Sequence, residues 1–203
     1  PTHHGTFDLA YLRLIPNMTI AAPMDEIQLR NLMFTAQINP KGPIAIRYPK
    51  GEATNVNWEK DYEEMSVGKG RILSKGKDIA VLTLGATGID ANIAVDNLKN
   101  EGVNITHADM VFLKPLDETL LHELFKTHKA VITVEDGTIQ GGFGSAVAEF
   151  MLEHGYRAPL KRLGVPDSFV EQGTVQELKH ELGYDAEGIA RTVLKMIEII
   201  KNK

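Results

Sequence analysis

The sequence predicts an α/β protein in two parts: the end of one α/β unit, then a second α/β domain with a mostly parallel sheet. Three observations predict this. From residue 71 onward, short apolar runs alternate with amphipathic helical patterns, as in parallel strands joined by crossover helices. Residues 1–51 show the same alternation, but Pro16, Pro23, Pro40, Pro43 and Pro49 break it into four or five short elements. So few elements cannot readily cover both faces of a parallel sheet, so this part is expected to need further sequence. Between the two lies residues 52–70, mostly polar, with acidic residues around Trp58 and Tyr62, which reads as a connector.

The elements follow in order. Phe7 to Leu12 reads as one or two helical turns and Met18 to Ala22 as a short strand. Asp25 to Ala36 places Ile27, Leu29, Leu32 and Met33 at roughly helical spacing, which predicts a helix. Ile44 to Arg47 is a strand between Gly42-Pro43 and Pro49. Val67 to Ile72 reads as an edge strand. Asp78 to Leu84 is a buried strand ended by Gly85, and Thr87 to Asn100 a helix. Val103 to Asp109 is the next strand, and Pro115 and Asp117 open a helix to Lys126 with Asp117 as N-cap. Ala130 to Val134 is a third strand, Gly144 to His154 a helix, Leu160 to Leu163 a fourth strand, and Thr174 to Leu182 and Ala186 to Lys201 the final helices.

Composition narrows the function classes. The 203 residues suffice for one large domain or two small ones, with 43% apolar residues for a core. A net charge of −5 without any block of like charge argues against an extended nucleic-acid surface. The absence of cysteine excludes thiol nucleophiles, disulfides and thiolate zinc sites, and is compatible with a reducing cytoplasm. No apolar run approaches the roughly 20 residues of a membrane span. The chain opens at Pro1, without methionine, inside a polar loop, so a designed or proteolytic boundary is expected there.

Four stretches could carry chemistry. His3 and His4 precede the first helix; adjacent side chains on an extended loop point apart, so they form a poor chelating pair. They read either as surface histidines or as a proton-handling group near neutral pH. Arg47-Tyr48-Pro49-Lys50-Gly51 ends a strand and enters a turn, where ligands gather in open α/β sheets. Its two cations suit a phosphate or carboxylate, and the alternative is a solvated strand end. Glu135-Asp136-Gly137, then Gly141-Gly142-Phe143-Gly144-Ser145, follow a strand and lead into a helix. The glycine cluster could cradle a phosphate at the helix N-terminus, or it could simply permit a tight turn and close packing. It matches neither GxGxxG nor the P-loop. In Val165-Pro166-Asp167-Ser168-Phe169-Val170-Glu171-Gln172-Gly173-Thr174, which reads as a loop and helix cap, Phe169 and Val170 are expected to pack.

An ordered series of motifs then carries a resemblance. Pro1-Thr2-His3-His4-Gly5-Thr6-Phe7-Asp8-Leu9, continuing as Tyr11-Leu12-Arg13 and Ile15-Pro16-Asn17-Met18, is similar to a segment of the deoxyxylulose phosphate synthases. So are Pro23 with Asp25-Glu26 and Leu29-Arg30, Gly42-Pro43, and Ile46-Arg47-Tyr48-Pro49-Lys50-Gly51. Val111-Phe112-Leu113-Lys114-Pro115-Leu116-Asp117, Thr133-Val134-Glu135-Asp136, the glycine cluster, Gly164-Val165-Pro166-Asp167 and Gln172-Gly173-Thr174 follow in the family's order. Transketolases and the β subunits of 2-oxo acid dehydrogenases share the architecture without this series.

The resemblance implies that residues 1–51 are the C-terminal part of a pyrimidine-binding domain and residues 71–203 a transketolase-type C-terminal domain, joined by the connector 52–70. It implies a thiamine-diphosphate- and Mg2+-dependent, dimeric, cytoplasmic transferase. That enzyme condenses pyruvate with D-glyceraldehyde 3-phosphate, losing CO2, for isoprenoid, thiamine and pyridoxal synthesis. By position, His3 is the active-site histidine and Lys50 stands where the family often has a phosphate-binding arginine, keeping the charge without the bidentate fork. Arg47 is a second phosphate-binding candidate. His4 stands where the family often has Gln or Asn and carries no catalytic expectation. The family's diphosphate and metal motif, and the glutamate that activates the aminopyrimidine, have no counterpart in this sequence. Residues 1–203 alone are therefore expected to hold neither cofactor nor metal and to be inactive. A non-catalytic structural or dimerisation module, or a part of another transketolase-like enzyme, are the competing readings.

Overall fold

The computed structural model describes residues 5–38, 42–51, 59 and 61–202. Its centre is a five-stranded sheet of order β3-β5-β4-β7-β8, formed by β3 (Arg71–Ser74), β4 (Ile79–Leu84), β5 (Thr106–Asp109), β7 (Ala130–Thr138) and β8 (Leu160–Val165). β4, β5, β7 and β8 run parallel, and β3 joins β5 antiparallel at the edge. A smaller sheet orders β2 (Ile44–Ile46), β1 (Thr19–Ala21) and β6 (Phe112–Lys114).

Side-chain alternation builds a core on each face of the larger sheet. Ala80, Leu82, Leu84 and Val131 face α4 (Glu118–Thr127) and α5 (Phe143–Glu153), which contribute Leu121, Leu124, Phe143 and Phe150. Ile79, Val81, Ile132 and Val134 face α3 (Thr87–Asn100) and α7 (Ala186–Lys201), which contribute Ala91, Leu98, Ile189 and Val193. Because both faces are covered, every residue of β4 is buried. The helices start where the sequence stops them from starting earlier. Asp117 accepts the Leu120 N–H, Asp185 accepts the Gly188 N–H, and Thr174 and Glu177 form a reciprocal cap at α6 (Val175–Leu182).

The first part does not close on itself. β1 pairs parallel with β2, and its other edge is taken by β6 from the second part, antiparallel, with Ile20 opposite Lys114. β6 was not expected from the sequence. The chain leaves the larger sheet for the smaller one at Val111, whose φ of 57° is a strained value for a β-branched residue. There the Val111 N–H donates to Asp109 (3.2 Å) and its carbonyl accepts from Ala22 (2.8 Å).

α2 (Glu26–Ile38) is a helix as predicted, but its inner face differs from expectation. Leu32 is buried together with Gln28, Asn31 and Thr35, whereas Met33 is half exposed. The polar side chains turn inward because each has a partner there. Gln28 donates to Asp109 (2.8 Å), Asn31 accepts from the Glu63 N–H (3.3 Å) and Thr35 from the Met65 N–H (2.8 Å). The connector thus lies along α2, with Tyr62 stacked on Phe34 at 5.5 Å. Its end turns at Ser66–Lys69, so β3 begins at Arg71, later than the sequence suggests.

Candidate functional site

The two sheets meet at the carboxyl ends of their parallel strands. Gly85 follows β4 at φ 75°, and a Cβ placed there would stand 3.1 Å from the Cβ of Ala22, just past β1. Glycine meets both demands of this junction, the left-handed backbone and the close approach. Asp109 ends β5 and reaches Gln28 of α2; Asp136, near the end of β7, reaches Arg47, just past β2.

Arg47 donates through Nη1 to Asp136 Oδ2 at 2.7 Å, and both side chains are largely buried. The other oxygen of Asp136 accepts the Tyr184 hydroxyl at 3.1 Å. Burial, and after it the Asp136 charge, drives the Tyr184 hydroxyl far above its ordinary pKa, so it stays a donor. Lys50, three residues on, is exposed and has no hydrogen-bond or ion-pair partner among the described residues. Beside it opens a cavity of about 250 Å³ lined by Pro23, Met24, Leu29, Tyr48, Pro49 and Ile89, among others. His3 and His4 lie outside the described residues. The chain just after them is docked on β7: the Thr6 carbonyl accepts the Thr138 N–H at 2.7 Å. α1 (Asp8–Arg13) is held alongside by Leu9 in the core and by Arg13, which pairs with Glu149. The end of β7 therefore touches both the loop that follows His3 and the arm that carries Lys50.

The glycine cluster after β7 is not an open phosphate cradle. The Phe143 and Gly144 N–H groups at the start of α5 donate to Glu135 Oε2 and Oε1, each at 2.7 Å. Glu135 is fully buried and fills the helix N-terminus with its own carboxyl group. Burial pushes its pKa up to about 7, against the opposing pull of the two N–H groups and of Arg162 and Arg13. The glycines serve close packing: a Cβ on Gly144 would stand 2.6 Å from Thr133 Oγ1. Farther on, Val170 packs on the core, but Phe169 is 80% exposed, contrary to expectation, because its loop leaves it no neighbour to cover it.

Sequence reasoning named Asp136 but not its partners, and missed Tyr184, Asp109 and His107 as structured polar groups. Asp136 and Arg47 are 89 residues apart, and no local pattern announces the pair. His107 is buried between Asn92 (2.8 Å to Nδ1) and Thr83 (2.9 Å to Nε2). Asn92 Oδ1 can only accept, so the proton sits on Nδ1 and Nε2 accepts from Thr83.

The described residues do not fit a diphosphate–magnesium group. Among them, one cluster of three side chains could converge on a metal: His180, Asp185 and Glu187, with ligand atoms within 4.8 Å, at the surface where α7 begins. Mg2+ prefers an all-oxygen octahedral shell, and a helix N-terminus disfavours a cation.

The Transketolase, C-terminal domain family matches residues 68–189, and the Transketolase, pyrimidine binding domain family matches residues 1–55. The chain is 53% identical over 201 residues to the 1-deoxy-D-xylulose-5-phosphate synthase of Bacteroides thetaiotaomicron, covering 98% of this chain and 31% of that protein. It is 44% identical to the synthase of Dictyoglomus turgidum, covering 99% of this chain and 32% of that one. The chain thus spans about a third of the length of the curated relatives it matches. Among solved structures, a split-gene transketolase described as an inactive beta4 tetramer superposes with a TM-score of 0.81 at 34% identity, covering 95% of this chain and 62% of that chain. A mutant transketolase of Pichia stipitis, with a TM-score of 0.77 at 19% identity, covers 100% of this chain and 28% of its own, and shares the fold. With a C-terminal domain matched over more than half its length and part of a pyrimidine-binding domain before it, the chain belongs to the transketolase family.

Proposed function

We propose that this chain is the acceptor-binding portion of a 1-deoxy-D-xylulose-5-phosphate synthase, divided as 1–51, 52–70 and 71–203. The observation that carries the reading is the 53% identity to a synthase across 98% of the chain. The whole protein joins pyruvate to D-glyceraldehyde 3-phosphate with loss of CO2, as a cytoplasmic homodimer using Mg2+. Thiamine diphosphate, when bound, supplies the carbanion chemistry. In this portion, His3 exchanges protons with the reacting groups, and Lys50 binds the acceptor phosphate as a point charge. Its exposure and the lack of a competing carboxylate among the described residues support that role. Arg47 is spoken for by Asp136, which favours a supporting part for it over direct phosphate contact.

The reading is tested in the full-length protein with pyruvate and D-glyceraldehyde 3-phosphate. His3→Ala should lower kcat roughly 100-fold, within the range for loss of a proton-transfer group. Lys50→Ala should raise KM for the phosphorylated acceptor about tenfold, the equivalent of about 1.4 kcal/mol. Unchanged kinetics in both variants would remove the site assignment. Residues 1–203 alone are proposed to be inactive, as the split-gene neighbour is described. Product formation by residues 1–203 alone would overturn that part.

A further inference from the structure

We infer that Asp136 is a positioning residue that fixes the Tyr48–Lys50 arm for the phosphorylated acceptor. The inference rests on the proposed role of Lys50 and extends the site into the C-terminal domain. Arg47 is anchored twice: its N–H donates to the Ala21 carbonyl at 2.9 Å, and its guanidinium to Asp136 at 2.7 Å. Beyond it the arm has few free rotations. Pro49 has a fixed φ, and Tyr48, as the residue before proline, is confined to extended conformations. Holding Arg47 therefore holds Lys50 within a narrow arc, although Lys50 itself makes no hydrogen bond or ion pair to the C-terminal domain among the described residues.

Asp136 is itself held. Tyr184, 3% exposed, donates to its second oxygen at 3.1 Å. Gly183, which ends α6 at φ 72°, and Asp185, which caps α7, fix the backbone on either side of that tyrosine. Two residues along β7, the Thr138 N–H holds the Thr6 carbonyl at 2.7 Å, so one strand end sets the spacing between the loop after His3 and the Lys50 arm. A cross-domain ion pair serving stability alone would have no bearing on which acceptor is bound. A positioning pair does.

The test uses the full-length protein and compares D-glyceraldehyde 3-phosphate with unphosphorylated D-glyceraldehyde. Asp136→Asn should raise KM for the phosphorylated acceptor about tenfold, less than the roughly 30-fold or more that follows loss of a buried charge in direct contact with its binding partner, because Asp136 acts on the phosphate only through the arm. KM for D-glyceraldehyde should change less than about twofold, since no phosphate is there to misplace. Tyr184→Phe, which keeps the Arg47 pair, should act in the same direction by about threefold. In a Lys50→Ala background, Asp136→Asn should add less than about twofold, because the group it positions is gone. Thermal unfolding of each variant shows whether the fold is retained, and Tyr184→Phe serves if Asp136→Asn fails to fold. If Lys50→Ala raises KM but neither Asp136→Asn nor Tyr184→Phe does, the inference falls and the Lys50 assignment stands. Equal effects on both acceptors, or additive effects in the double variant, would also overturn it. If Lys50→Ala itself leaves KM unchanged, the phosphate site and the inference fall together.

Discussion

Glu135 makes a stability prediction whose sign is unusual for a carboxylate. It is fully buried, and its pKa stands at about 7 against an ordinary 4.5. The native state therefore binds a proton that the unfolded state has released, and stability falls as pH rises through that window. The favourable contribution is complete below pH 4.5 and gone above about 7. At about 1.4 kcal/mol per pH unit, the rise from 4.5 to about 7 is worth about 3 kcal/mol. Between pH 5 and 8.5, where the chain is convenient to study, about 2.5 kcal/mol of this should be visible.

The assay is urea unfolding of the protein and of Glu135→Gln across that pH range. The variant keeps the shape and removes the titration, so other ionisable groups cancel in the difference. Glu135→Gln should be the less stable protein at pH 5. Its amide can accept from only one of the two N–H groups at the start of α5, and the unmade bond costs about 1–3 kcal/mol. The gap should shrink, or reverse, by about 2.5 kcal/mol by pH 8.5. A difference that stays flat within about 0.5 kcal/mol, or grows with pH, would refute the reasoning. It would mean that the two N–H groups and Arg162 outweigh burial and hold Glu135 ionised.

Two further outcomes can be measured on the same protein. His107, pushed down to about 4 by burial and then by Arg71, has the opposite sign: its contribution is full above pH 6.5 and is lost as pH falls toward 4. Its ring resonances should show no titration between pH 5.5 and 8 by NMR, and a midpoint near 6.5 would contradict the buried neutral tautomer. Asp109→Ala strips the acceptor from Gln28 and from the Val111 N–H, and should cost about 3 kcal/mol by urea unfolding. A loss below about 1 kcal/mol would show that those groups find other partners.

Local patterns in the sequence account for the helices and for the strands of the larger sheet. α3 and α7 begin and end where the amphipathic periodicity does, since nothing outside those segments competes with it. What was not legible is what depends on distant partners. β6 is three residues long and exists because β1 offers it an open edge. The inner face of α2 carries Gln28, Asn31 and Thr35, polar residues that hydrophobic periodicity assigns outward. Their partners come from β5 and from the connector. β7 continues through Glu135 and Asp136, where alternation of apolar residues stops. The sequence reading of Arg47 to Gly51 as the end of a strand and a turn agrees with β2, but Asp136 and Tyr184 carry no sequence signal that ties them to that turn. The glycine cluster shows the converse: its pattern invited a ligand, and a side chain from the same strand had already taken the place.

The neighbouring carboxyl groups Glu135 and Asp136 bring these threads together. Successive residues of a strand point to opposite faces, so one end of β7 serves both helical layers. Glu135 turns to α5 and closes its N-terminus; Asp136 turns to Tyr184, before α7, and to Arg47. Their environments differ accordingly. Asp136 has a guanidinium against it, while Glu135 has backbone N–H groups and no direct ion pair among the described residues. Burial raises the Glu135 pKa against the pull of those N–H groups and of Arg162 and Arg13. Titration of Glu135 therefore bears on the N-terminus of α5, whereas the Arg47–Asp136 pair lies on the other side of the strand and involves neither of the N–H groups that Glu135 accepts.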